Sequence, residues 1–296
     1  MSASDVQTTP YKGSALKTLL ARLAFPIFWV LNRPAFRLLN EAVYDVALRL
    51  NGFAIGFQGK HGLTFPEEAF LKQFLPKVRS GVLMDVGANH GTYSRFLGEL
   101  RPDLRVLAFE PHPKSFELLK QNTKDGQVEQ FNMALSDSAG TMKLYDFANH
   151  DGSTQASLSL DAVHLFDSAA VSYDVKVQTL DRFCEENGID HIAFLKIDTE
   201  GFDINVLRGA RRLLGEKKID AIQFEFIPAC IVTRVSMRDF FEELSGYDLY
   251  RLCVSGALVK LGHYNVKRCE IFVVQNIIAF RQSYAGIDRA DRRHGL

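Results

Sequence analysis

The chain has 296 residues, 47% of them apolar, enough to bury a full core. That size suits one α/β domain with an N-terminal extension better than two equal domains. Thirty-five Lys and Arg balance 35 Asp and Glu, and no long basic run occurs, which speaks against a nucleic-acid partner because phosphate binding needs a concentrated positive face. Cys184, Cys230, Cys253 and Cys269 are scattered with no C-x-x-C pair, the pattern of reduced thiols in a cytoplasmic protein.

Residues 1–13 read as a polar tail and 14–64 as a helical extension. From Ser14, a broad apolar face runs through Leu16, Leu19, Leu20, Leu23, Ile27, Phe28 and Leu31. The apolar run Leu23–Leu31 is too short to span a bilayer, and Pro26 interrupts it. Asn32-Arg33-Pro34 follows instead of a signal-peptide cleavage site, and predicts a second helix capped by Asn32. Its stripe is Phe36, Leu39, Val43, Val46 or Ala47, and Leu50, ended by Asn51-Gly52. Lys12, Lys17, Arg22, Arg33 and Arg37 border these faces. Three readings of residues 14–50 stand: contact with the inner face of the cytoplasmic membrane, packing on the domain, or pairing in a homodimer.

Residues 65–282 carry the α/β pattern. A helix over Glu67–Val78 leads to Val82-Leu83-Met84-Asp85-Val86, a short apolar run with an acid near its end, then to Gly87-Ala88-Asn89-His90-Gly91. Helical spacing of Tyr93, Phe96, Leu97 and Leu100 follows. A strand, a glycine turn and a helix let a ligand lie on bare backbone facing helix N–H groups. The spacing D-x-G-x-x-x-G departs from the dinucleotide fingerprint G-x-G-x-x-G. The next strand, Arg105–Phe109, ends in Glu110, about twenty residues after the turn, where a βαβ unit offers a carboxylate to ribose hydroxyls.

A crossover helix is predicted over Pro113–Asn122 with Phe116, Leu118 and Leu119 inward, then a third strand over Val128–Leu135 and a small hairpin over Gly140–Phe147. Residues 149–157 form a polar stretch that reads equally as a substrate cover or a solvated loop. Ile192–Asp198 is the fourth parallel strand, with Lys196 and Asp198 on one face, followed by Thr199-Glu200-Gly201 and a helix through Leu214. Ile219–Phe226 follows and carries Glu225. In an open α/β sheet ligands collect at the carboxyl ends of strands, and Asp85, Glu110, Asp198, Glu200 and Glu225 all come from that edge. A Ser236-capped helix, a strand over Tyr247–Val254 and a long strand over Cys269–Phe280 suggest an antiparallel edge hairpin. Residues 283–296 form a charged tail.

The segments DVGANHGTYS, AFEPHPKSFELLKQN, Asn132–Asp137 and FLKIDTEGFDINVLRGARRLL together resemble the FkbM family of S-adenosylmethionine-dependent methyltransferases, over roughly Phe65–Phe280. The resemblance implies a doubly wound, mostly parallel, Rossmann-like sheet of class I methyltransferase type with antiparallel C-terminal strands. It implies S-adenosylmethionine held by Asp85, Gly87, Ala88, Asn89, Gly91 and Thr92 around the methionyl part, by Glu110 and Pro111 at the ribose, and by Asn132 and Ala134 beside the adenine. It also implies O-methylation of a sugar, glycan or polyhydroxylated natural product. Asp198, Glu200 and Glu225 are the candidate bases, or the oxygen ligands of a Mg2+ ion. His150 and His263 are weaker base candidates. A catalytically silent, membrane-recruited binding module of the same fold is the main alternative. An NAD-dependent dehydrogenase is disfavoured by the missing third glycine and the lack of an evident Tyr-x-x-x-Lys pair.

Overall fold

Short apolar runs with both faces buried become parallel strands, because only crossover helices on both sides can cover them. In the computed structural model the described residues are 15–124, 126–149, 151–282 and 284, with side chains from residue 22. They divide into two units, one ending at Asn51 and one beginning at Gly52, so residues 52–64 belong to the α/β unit and not to the extension.

In the first unit, Ala15–Leu31 is one helix through Pro26. The predicted Asn32 cap is not used. A 3-10 turn at Pro34–Phe36, flanked by extended Arg33, precedes the helix Arg37–Leu50, because the proline ring favours an extended residue before it. The Asn40 amide donates to Leu31 O at 2.9 Å and closes the corner.

In the second unit, Thr64 and Glu67 form a capping box that starts the helix Phe65–Phe74. The strands are β1 (Val82–Val86), β2 (Val106–Phe109), β3 (Val128–Phe131), β4 (Ala134–Leu135), β5 (Gly140–Phe147), β6 (Ala170–Gln178), β7 (Ile192–Ile197), β8 (Ile219–Phe226), β9 (Tyr247–Leu252), β10 (Leu258–Lys260) and β11 (Gln275–Arg281). The main sheet runs β10-β9-β11-β8-β7-β1-β2-β3, and β4-β6-β5 make a second, three-stranded sheet. β1 pairs in parallel with both β2 and β7, so the topological switch point lies at its carboxyl end.

Five details depart from the sequence reading. The predicted strand Val128–Leu135 is split between the two sheets, β3 in one and β4 in the other. Residues 140–147 are not a hairpin but a single strand antiparallel to β6. The long strand predicted at Cys269–Phe280 is a short helix, Val266–Cys269, and then β11. β11 is not at the edge either, being slotted antiparallel between β8 and β9. Leu118, predicted inward, faces solvent on the helix Pro113–Asn122, while Leu119 is fully buried.

Alternation across the strands sorts the interior into two cores. Met84, Val86, Leu195, Ile197 and Phe224 pack on one face of the sheet, and Leu83, Phe194 and Ala221 on the other. On that second face the pairing register places Asp85 beside Lys196, and Lys196 beside Gln223. A buried polar row thus crosses the middle of the sheet just below its carboxyl edge.

Candidate active site

The glycine turn after β1 is set by two positive-φ glycines. Gly87 sits at φ +83°, and a Cβ there would lie 1.8 Å from the Asp198 carbonyl oxygen at the end of β7. Only glycine lets the two strand ends meet so closely. Gly91, at φ +80°, starts the helix Thr92–Leu100, and a Cβ there would strike Leu119 at 2.5 Å. Asn89 also holds positive φ, and its backbone N–H donates to Glu110 Oε2 at 2.7 Å. The His112 N–H donates to Glu110 Oε1 at 2.7 Å. Glu110 is buried, and burial pushes its carboxyl up to about 7 against those two N–H bonds. Asp85 accepts the Ser94 hydroxyl on Oδ2, while its buried Oδ1 has no hydrogen-bond partner; burial raises its pKa despite nearby Lys196.

These residues border a cavity of about 460 Å3, within the usual range for a cofactor or drug-sized ligand. Asp85, Gly87, Ala88, Asn89, Thr92, Glu110, Pro111 and Ala134 line it. Asn132 and Gly91 lie outside the lining. Asn132 is exposed and donates to the Glu110 and Pro111 carbonyls, and Met133 takes the wall position beside Ala134.

The catalytic candidates Asp198, Glu200 and Glu225 line the same cavity. Lys196 Nζ meets Asp198 Oδ2 at 2.7 Å and sits 4.9 Å from the Tyr93 ring, and its ammonium is held well above the ordinary lysine range by the surrounding carboxylates despite burial. Glu225 accepts from the Asn276 amide at 3.0 Å, and burial raises its pKa well above normal. Glu200 adopts φ +51°, and burial together with Asp198 and Asp203 pushes its carboxyl up to about 8. Its turn is pinned by Asp203, a buried acid that the sequence reading overlooked. Asp203 Oδ1 accepts the Thr199 N–H and hydroxyl, and Oδ2 the Glu225 N–H. The signal was there in the residue type, an acid in the first turn of a helix after T-E-G.

Three further features join the site. Gln58, Thr64 and Glu67 form a wall, and Tyr93 and Glu67 are tied to the polar row through Gln223, at 2.7 Å and 2.8 Å. The polar loop covers the cavity: Ser153, Thr154 and Ala156 line it. Asn89 donates to the Ser153 carbonyl at 3.1 Å, and the Ser157 hydroxyl donates to the Glu200 carbonyl at 2.9 Å. The loop is therefore attached to both halves of the site.

The expected magnesium ligands do not converge. Among the described residues, the group that brings ligand atoms together is His112, Asp146 and Asp151, not Asp198, Glu200 and Glu225. That cluster is occupied by its own hydrogen bonds. His112 Nδ1 accepts the Lys114 N–H at 3.2 Å, which leaves Nε2 to donate to Asp151 at 3.0 Å, and Asp146 accepts the Gly152 and Ser153 N–H groups. It folds the covering loop. His263 is exposed and away from the cavity, and His150 lies outside the described residues.

Strand order and switch point define a class I methyltransferase-like fold. The methyltransferase FkbM domain matches residues 85–248, and the chain belongs to this family of S-adenosylmethionine-dependent methyltransferases. The nicotinamide reading falls with that match. The chain is similar to the 2-O-methyltransferase NoeI of Sinorhizobium fredii, at 27% identity over 45% of this chain and 58% of that one. The hexuronic acid methyltransferase AglP of Haloferax volcanii is 27% identical over 45% and 51%, and the 31-O-demethyl-FK506 methyltransferase FkbM of Streptomyces tacrolimicus 27% identical over 49% and 65%. The chain thus spans somewhat more than half the length of these relatives. Among solved structures, fibrillarin of Aeropyrum pernix with S-adenosyl-L-methionine aligns over 72% of this chain and 73% of its own at TM-score 0.38 and 13% identity.

The site fits that cofactor. Gly87 leaves bare backbone where a Cβ would clash, Glu110 on the cavity wall keeps lone pairs beyond its two N–H bonds, and Asp85, also on the wall, has a buried Oδ1 without a hydrogen-bond partner.

Proposed function

We propose that the chain O-methylates a hydroxyl of a sugar, glycan or other polyhydroxylated compound, with Glu200 as the general base. The observation that carries this reading is Glu200 itself, an acid on the cavity wall whose carboxyl is pushed up to about 8. When bound, S-adenosylmethionine supplies an already activated methyl group, so the chain's own task is to align the acceptor and remove its proton. An ordinary carboxylate is a poor base for an alcohol, and raising its pKa improves the match. The proton passes from the acceptor hydroxyl to a Glu200 carboxylate oxygen as the new C–O bond forms. Asp198 is engaged by Lys196 and Glu225 by Asn276, so both suit orientation of the acceptor better than proton transfer. Glu110 and Asn89 hold the cofactor side, and the loop through Ser153 and Ser157 limits water.

The names of NoeI, AglP and FkbM, a 2-O-methyltransferase, a hexuronic acid methyltransferase and a 31-O-demethyl-FK506 methyltransferase, support an oxygen acceptor on a hydroxylated molecule. The test is an acceptor screen with wild type, Glu200→Gln and Asp198→Asn, with and without EDTA. Glu200→Gln is expected to lose at least about a hundredfold in turnover, the scale of a general base, while S-adenosylhomocysteine affinity stays within about 1 kcal/mol. EDTA should have no effect. A fully active Glu200→Gln would remove this acid from the mechanism. Tight S-adenosylhomocysteine binding with no turnover on any acceptor class would return the chain to a binding module.

A further inference from the structure

We propose that the helical unit before Gly52 seats the protein on an anionic lipid surface. The inference stands apart from the methyl-transfer reading, since it uses no residue of the cavity. Among the described residues no helix is long and apolar enough to cross a membrane. The apolar run Leu23–Leu31 is about 13 Å long at a ~1.5 Å rise per residue, against a hydrocarbon core of ~30 Å. It fits within one leaflet.

Two observations favour lipid over a second copy of the chain. First, Leu23–Leu31 carries no polar side chain on any side. A helix pairing with a copy of itself buries one stripe and leaves the rest in water, whereas an acyl layer receives all of it. Leu23, Phe25, Phe28 and Trp29 are each more than half exposed. Second, the charge is one-sided. From Val6 to Asn40 the sequence contains no Asp or Glu, while Lys12, Lys17, Arg22, Arg33 and Arg37 flank the apolar run on both ends. Arg37 is paired with Glu41 at 2.7 Å, and the remaining cations make a border complementary to anionic headgroups. At the downstream end the Arg33 guanidinium lies 4.4 Å from the Trp29 ring and donates to the Trp29 carbonyl. An aromatic and a cation stacked at the end of an apolar run belong at the headgroup level. The following helix presents Leu39, Val43, Val46 and Leu50 along one exposed stripe, with Glu41 and Asp45 on the other side, as a helix lying in the interface would.

The experiment is vesicle flotation of the full chain on phosphatidylcholine alone and on phosphatidylcholine with about one-third phosphatidylglycerol, with light scattering in parallel. Wild type is expected to float with the anionic vesicles at least about tenfold better than with neutral ones, and to lose that preference in high salt. Phe28→Glu/Trp29→Glu should abolish flotation, and Arg33→Glu/Arg37→Glu should remove the anionic preference. In both variants S-adenosylhomocysteine binding is the fold control. Flotation unchanged in the Phe28→Glu/Trp29→Glu variant overturns the proposal, as does wild type that floats with neither vesicle. A wild-type dimer that this variant makes monomeric, with no vesicle binding, would assign the face to a second copy.

Discussion

Glu110 holds two jobs on two oxygens. Each oxygen accepts one backbone N–H, from Asn89 and from His112, so the carboxylate fixes the shape of the turn before any ligand arrives. Replacing it with Gln keeps the size but converts one acceptor into a donor facing an N–H. Glu110→Gln should weaken S-adenosylhomocysteine binding by about 1–3 kcal/mol, read by calorimetry, the cost of losing a charged acceptor. Unchanged affinity would mean that the ribose is held elsewhere. At this scale the sequence was informative where a residue's role follows from its neighbours in the chain. Gly87 and Glu110 announce themselves by type and spacing. Asn132 did not, because whether its side chain faces a cavity or a pair of carbonyls depends on where the strand ends.

At the scale of elements, the proposed base Glu200 and the covering loop share supports. Asp203, in the first turn of its helix, fixes the Thr199–Glu200 turn to β8, and Ser157 fixes the covering loop to the same turn. Glu200 therefore holds a positive φ that its own side chain does not favour. The expected readout is the pH profile of turnover. A base held near 8 must be deprotonated to act, so turnover in the wild type should rise through about pH 8 and level off above it. The residual rate of Glu200→Gln should lack that rise; an unchanged profile would place the titrating group elsewhere. Elements with local patterns were legible in advance, such as β1, the helix Pro113–Asn122 and the Ser236-capped helix. The second sheet was not. β4 has only two residues, β5 and β6 are long but largely unburied along their first halves, and the three become a sheet only by pairing across the loop between residues 147 and 170.

Across the whole molecule, the site concentrates buried acids whose pKa values rise on folding. Glu110 and Glu200 move from an ordinary 4.5 to about 7 and about 8. The folded state then binds more protons than the unfolded one between pH 4.5 and 8, so their contribution to stability is fully present below 4.5 and is lost as pH rises through 7 to 8. Without ligand, the melting temperature should fall from pH 5 to pH 8.5, and Glu110→Gln/Glu200→Gln should flatten that fall. An equally steep fall in the double variant would assign the pH dependence to other groups. Sequence reading located these acids at one edge of the sheet but not their protonation, which depends on how completely the covering loop excludes water.

The place of β11 governs how the chain reaches this state. It is the last strand of the main sheet to be synthesised, yet it lies inside the sheet, with β8 on one side and β9 on the other. Until residues 275–281 are available, β8 and β9 each expose a row of unpaired N–H and C=O groups beside a largely apolar face. The other half, β1 to β3 with β7, takes no strand pairing from these residues, although Ile278 and Phe280 complete the core behind it. Insertion of β11 is thus a long-range, high-contact-order step, and such steps are slow. The vulnerable interval is that wait, when an unfilled slot one strand wide is open to any other extended segment that reaches it first.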